Sequence, residues 1–170
     1  MWISAGLVIA LLLALGLRSA YKRKYPYGHS HCCVVQLAIA LRMYANENGG
    51  NFPKGQSSPE ASLSLLYRSQ LITPGILRGK TVSEEIVKKI LGAGGLLGPD
   101  TCGWHYVEGL TLSNNVNTAI VWDKVGLGHN GEDSGFREVG LIDGSHQLVR
   151  KADWENFLAS QRKLLKTQRQ

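Results

Sequence analysis

The residues best suited to chemistry fall into two groups. His29, His31, Cys32 and Cys33 lie close together, and Cys102 and His105 follow later as a Cys-x-x-His pair. Imidazole nitrogens and thiolates are the donors a Zn²⁺ ion prefers, and four of these six side chains would complete its tetrahedron. The spacing matches no established zinc pattern, however. No Cys-x-x-Cys pair is present, and the second half offers only two ligands. The plainer expectation is a vicinal cysteine buried in a helix, with the histidines at its wet start. No metal or other cofactor is therefore assigned. Were the body exported, Cys102 would be able to pair with Cys32 or Cys33 in a disulfide.

His129, Asp143 and His146 form the second group and invite an acid–base or metal reading. Asp143 has a simpler use, because Asp143-Gly144 between two strand-like runs makes a hairpin turn. His129 sits in a Gly/Asn loop, where a structural hydrogen bond is the expectation. A Cys/His nucleophile also needs an orienting group and an oxyanion site, and no sequence feature marks either. No catalytic residue is assigned, and the chain is not expected to be an enzyme. The run Gly92-Ala93-Gly94-Gly95-Leu96-Leu97-Gly98 lacks the Gly-Lys-Ser/Thr of a phosphate loop and reads as a helix end. Trp104, Trp122 and Trp154 read as core anchors rather than a ligand cage.

The elements that must position these residues follow from periodicity. Residues 25–31 carry Pro26 and Gly28 and read as a linker. Val34, Leu37, Leu41 and Tyr44 repeat at intervals of three and four, which predicts a helix over 31–48 stopped by Gly49-Gly50. Short helices are expected over 61–70 and from Ser83 to about 91. Strands are expected at Trp104–Val107, Thr118–Val125, Arg137–Ile142 and His146–Arg150, and a last helix at 152–166. Strands segregated after helices indicate an α+β fold with a small antiparallel sheet.

The chain has 170 residues, of which 44% are hydrophobic and 19% charged, enough for one packed core. Twenty glycines without period exclude a collagen-like chain, and three cysteines are too few for a disulfide scaffold. The formal net charge is +6. Four of the cations, Arg18, Lys22, Arg23 and Lys24, are clustered, so the remaining body is nearly balanced and no nucleic-acid partner is expected. The basic tail Arg162-Lys163-Leu164-Leu165-Lys166 with Arg169 is expected to be a solvated helix end.

Met1 to Leu17 contains no charged side chain, and Trp2 and Tyr21 stand at its ends. Seventeen helical residues reach about 25 Å, the short end of what spans a bilayer. Three readings are open: an uncleaved single-pass anchor, a cleaved signal peptide and a buried helix. The anchor is the expectation, over residues 1–21, flanked by Arg18, Lys22, Arg23 and Lys24 and followed by a basic linker at 22–30. The bilayer is then a partner. The positive-inside rule places the body in the cytoplasm.

Several segments in order carry a family likeness: Gln36–Pro53, ending in Tyr44-Ala45-Asn46-Glu47-Asn48-Gly49-Gly50-Asn51-Phe52-Pro53; Ser62–Tyr67; Thr118–Lys124; His129-Asn130-Gly131; and Gly140-Leu141-Ile142-Asp143-Gly144-Ser145-His146. Over about 31–158 the chain resembles the pilin-like proteins of planctomycetes and related bacteria that carry a processing-associated His-x9-Asp-Gly motif. In that pattern His129, Asp143 and Gly144 take the motif positions. Residues 130–142 separate the pair here, a longer interval than the motif's nine. The resemblance implies a pseudopilin-like fold: an N-terminal helix partly in the membrane, a pilin-like domain at 31–160 and a tail at 161–170. It also implies a non-enzymatic assembly role beside a type II secretion or pilus-like machine, with the body outside the cytoplasm. No Gly-Phe junction precedes the span and the first acidic residue is Glu47, so filament assembly by the usual route is not expected. The competing expectation is a tethered metal- or ligand-binding module built on the His/Cys cluster.

Overall fold

The computed structural model describes residues 2–24 and 33–167. Its elements are helix α1 (Trp2–Lys24), α2 (Cys33–Glu47), α3 (Pro59–Arg68), α4 (Pro74–Leu77) and α5 (Glu84–Gly92), then strands β1 (Trp104–Tyr106), β2 (Ala119–Asp123), β3 (Phe136–Leu141) and β4 (His146–Arg150), and helix α6 (Trp154–Thr167). The strands form one antiparallel meander in the order β1-β2-β3-β4.

The sheet is covered on both faces. On one face lies α2, whose stripe Val34, Leu37 and Leu41 is fully buried. The approach is close because β3 carries Gly140 beneath it. A Cβ at Gly140 would stand 3.1 Å from the Ala38 Cβ and 2.9 Å from Val121 Cγ1, so a side chain there would push the helix off the sheet. Helices α3 to α5 extend this larger core, which also holds Phe52, Leu63, Leu66, Leu77 and Trp104. On the other face a smaller core joins Ala119, Val139 and Val149 to Trp122, Trp154 and Phe157. Gln161 of α6 ties that layer down: its Oε1 accepts from the Ala119 backbone N–H at 2.8 Å.

Local chemistry explains most boundaries. Ser58 caps α3, accepting from Ala61 N–H, with Pro59 in the first turn. At the β3–β4 turn Gly144 holds φ +84°, and the Asp143 carboxylate accepts from the backbone and hydroxyl of Ser145 at 2.9 and 2.6 Å. Helix α4, a single turn, was not foreseen because four residues carry too little periodicity.

The N-terminal expectation is corrected. No helix among the described residues is long and apolar enough to cross a membrane. The uncharged stretch falls short of the roughly 20 apolar residues a span needs. The same helix runs on through Arg18, Lys22, Arg23 and Lys24 to Lys24, so these cations are helical positions rather than flanks of an anchor, and residues 22–24 are not linker. The single-pass placement falls with the span.

Candidate functional site

The segment from Thr73 to Glu84 organises the polar interior. Its α4 carbonyls receive the chain entering β1. Trp104 Nε1 donates to Ile76 O at 2.7 Å, Gly103 N to Leu77 O at 3.0 Å and Cys102 Sγ to Leu77 O at 3.6 Å. The crossing is tight enough that a Cβ at Gly103 would stand 2.1 Å from Arg78 O. Holding this segment against β1 leaves its other residues to face the start of α2.

There a cavity of about 210 Å³ is lined by Cys33, Thr73, Gly75, Ile76, Arg78, Glu84 and His129. Cys33 lies in α2, and its Sγ lies 3.5 Å from His129 Nε2. The His129 loop is closed by its own backbone, with Gly128 N donating to Glu132 O at 2.8 Å and Gly131 N to Gly128 O at 3.0 Å. Around the same cavity, the Arg78 guanidinium donates to Val82 O at 3.3 Å, and Glu84 pairs with Lys88 at 2.7 Å. A thiol in contact with an imidazole has a base at hand to take its proton.

A second polar cluster serves the same segment. Lys80 Nζ stands 2.8 Å from Glu138 and 3.6 Å from Asp123, and the side chains of Lys80 and Asp123 are each 2% exposed. One cation faces two carboxylates. Among the described residues neither Asp123 oxygen accepts a hydrogen bond. Burial pushes the Asp123 carboxyl up to about 6, against the pull of Lys80.

The outer face of the sheet carries a shallower groove of about 240 Å³ between β1–β3 and α6, lined by His105, Trp122, Lys124, Arg137, Trp154 and Leu158. The Arg137 guanidinium lies 5.0 Å from the Trp154 ring centre. Trp104 is a core anchor, as its type suggested, whereas Trp122 and Trp154 are only partly covered. Burial and the nearby Lys124 lower the His105 pKa.

The expected groupings are thus rearranged. His129 meets Cys33, and Asp143 is spent on the hairpin turn, where Arg42 also binds its carbonyl. Cys33 and Cys102 both stand as buried thiols, so the Cys33–Cys102 disulfide is not formed. Cys102 donates to Leu77 O, and burial pushes its thiol up to about 11. Among the described residues no three His, Cys, Asp or Glu side chains converge as a metal ligand set. His29, His31 and Cys32 lie outside the described residues. The pairing of Cys33 with His129 went unforeseen because 96 positions separate them.

No known family profile matches the chain, and neither a characterised protein nor a solved structure shows a significant likeness to it.

Proposed function

We propose that this chain is a non-enzymatic, pilin-like assembly protein that works through protein–protein contacts. The observation that carries the reading is helix α1. Its Ile9, Leu11, Leu12, Leu13, Leu15 and Leu17 are 53–72% exposed, in a helix of 23 residues. Burying such a side chain yields roughly 1.5–3 kcal/mol, so a row of them left in water calls for a protein surface to cover it. Gly6 and Gly16 have no neighbour within 4 Å of where a Cβ would stand, which leaves room for a second helix to approach. The order of elements, an apolar helix ahead of a helix-backed antiparallel meander, supports the same reading. So do the resembling segments at 36–53 and 140–146.

The test is self-association of the full chain, followed by sedimentation velocity from about 1 to 100 μM. The expected result is a concentration-dependent shift to higher mass, abolished by the double substitution Leu11→Lys and Leu15→Lys. A wild-type chain that remains monomeric across that range would overturn the assembly role.

The competing reading, a ligand-binding module, is favoured by one specific observation, the Cys33–His129 contact on a formed cavity. Its metal version predicts stoichiometric metal in the purified full chain and a lower melting temperature with chelator. Metal-free protein with an unchanged melt would remove it.

A further inference from the structure

We infer that Cys33 and His129 form a thiol-exchange site that takes a small organic disulfide from the adjoining cavity. Three features of the structure converge on this. Cys33 Sγ and His129 Nε2 are in contact at 3.5 Å. Both side chains line a cavity of about 210 Å³, room for a compact reagent. Arg78 lines the same cavity and adds positive potential, partly offset by Glu84 in its ion pair with Lys88.

The step balances within this set of groups. The Cys33 proton passes to His129 Nε2, leaving a thiolate beside an imidazolium. The thiolate attacks one sulfur of the incoming disulfide. The new Cys33 S–S bond forms as the reagent's S–S bond breaks, and the departing thiolate takes the proton back from His129. The products are a mixed disulfide at Cys33 and one free small thiol. One disulfide is consumed and one is formed, so no further oxidant is required. Because Cys33 is only 2% exposed, the reagent must enter by the cavity, and bulky disulfides are excluded.

Cys102 is the internal reference. It is equally buried, but it faces the Leu77 carbonyl, and burial raises its thiol to about 11. The full chain is incubated with bis(2-hydroxyethyl) disulfide from pH 6 to pH 9, quenched with acid, and mapped by peptide mass spectrometry. The expected result is labelling of Cys33 at least tenfold faster than Cys102. Its rate should fall less than tenfold per pH unit below about 8, because His129 takes the thiol proton as the disulfide is attacked. His129→Gln, with folding checked by thermal unfolding, should slow Cys33 labelling at pH 6 at least tenfold. Glutathione disulfide, a far larger reagent, should label Cys33 much more slowly.

Three results would overturn the proposal. One is equal labelling of Cys33 and Cys102 at the rate of unfolding. The second is a wild-type rate in folded His129→Gln. The third, decisive even if that variant does not fold, is a wild-type pH profile falling tenfold per unit from about 8.5, as for an unassisted thiol.

Discussion

Two polar sites draw on the segment from Thr73 to Glu84, and they bury charge in opposite ways. Around Cys33 and His129 the polar groups border a cavity. Around Lys80 the groups are pressed together, with one ammonium against two carboxylates. A buried ion cluster of that kind gains Coulomb attraction but loses hydration, and one ammonium is shared between two carboxylates. Burial of titratable groups therefore does not by itself mark a site of chemistry in this molecule. What separates the two is space for a reagent beside the thiol.

The comparison is tested most severely at Lys80. Replacing it in Lys80→Met leaves Asp123 and Glu138 facing each other, and a loss of about 3–5 kcal/mol of unfolding free energy is expected in urea titrations. A loss below about 1 kcal/mol would mean that the cluster is hydrated in solution.

Next in size is the pH dependence. The folded Asp123 carboxyl is raised to about 6 from an ordinary 3.8, so the folded state holds this proton where the unfolded chain has released it. Stability from this group is then full below about pH 4, falls as pH rises to about 6, and is flat above. The expected drop is on the order of 3 kcal/mol. Asp133 and Asp143, whose carboxyls hydrogen bonds hold below their usual value, act below that window and with the opposite sign. Asp123→Asn should flatten the slope between pH 4 and 6; an unchanged slope would assign the titration elsewhere.

The smallest stability effects belong to the cavity site. Cys33→Ser and His129→Gln should each change unfolding free energy by no more than about 1 kcal/mol, because both border a cavity that leaves room for the change. Losses above about 3 kcal/mol in either would make the pair a structural bond and erase the contrast.

Short-range chemistry made much of the fold legible in the sequence. Thr118–Val125 announced β2 by its β-branched residues, Asp143-Gly144 announced the hairpin, and the spacing of Val34, Leu37 and Leu41 announced α2. Each signal needs only neighbours within a few positions. The site was less legible for the opposite reason. Cys33 and His129 meet only after α2 lies on β3 and the 126–135 loop folds back, and no local pattern encodes that approach. Lys80, Asp123 and Glu138 are joined by the same kind of distant contact. At the N-terminus the uncharged run, at the short end of a span's length, resembled an anchor with flanking cations, and only the structure shows the four cations continuing the same helix.

The close seat of α2 over Gly140 carries a consequence for synthesis. The chain emerges N-terminus first, so α2 leaves the ribosome well before β2 and β3, the strands that cover it. At about 5–20 residues per second, roughly 5–20 seconds pass between the end of α2 and the end of β3. Throughout that interval Val34, Leu37 and Leu41 have no sheet to rest on, so the nascent chain presents an apolar stripe to whatever chaperone waits at the exit. Once translation passes Arg150 all four strands are available, and each pairs with its neighbour in sequence. The α2 stripe is therefore exposed only in the unfinished chain.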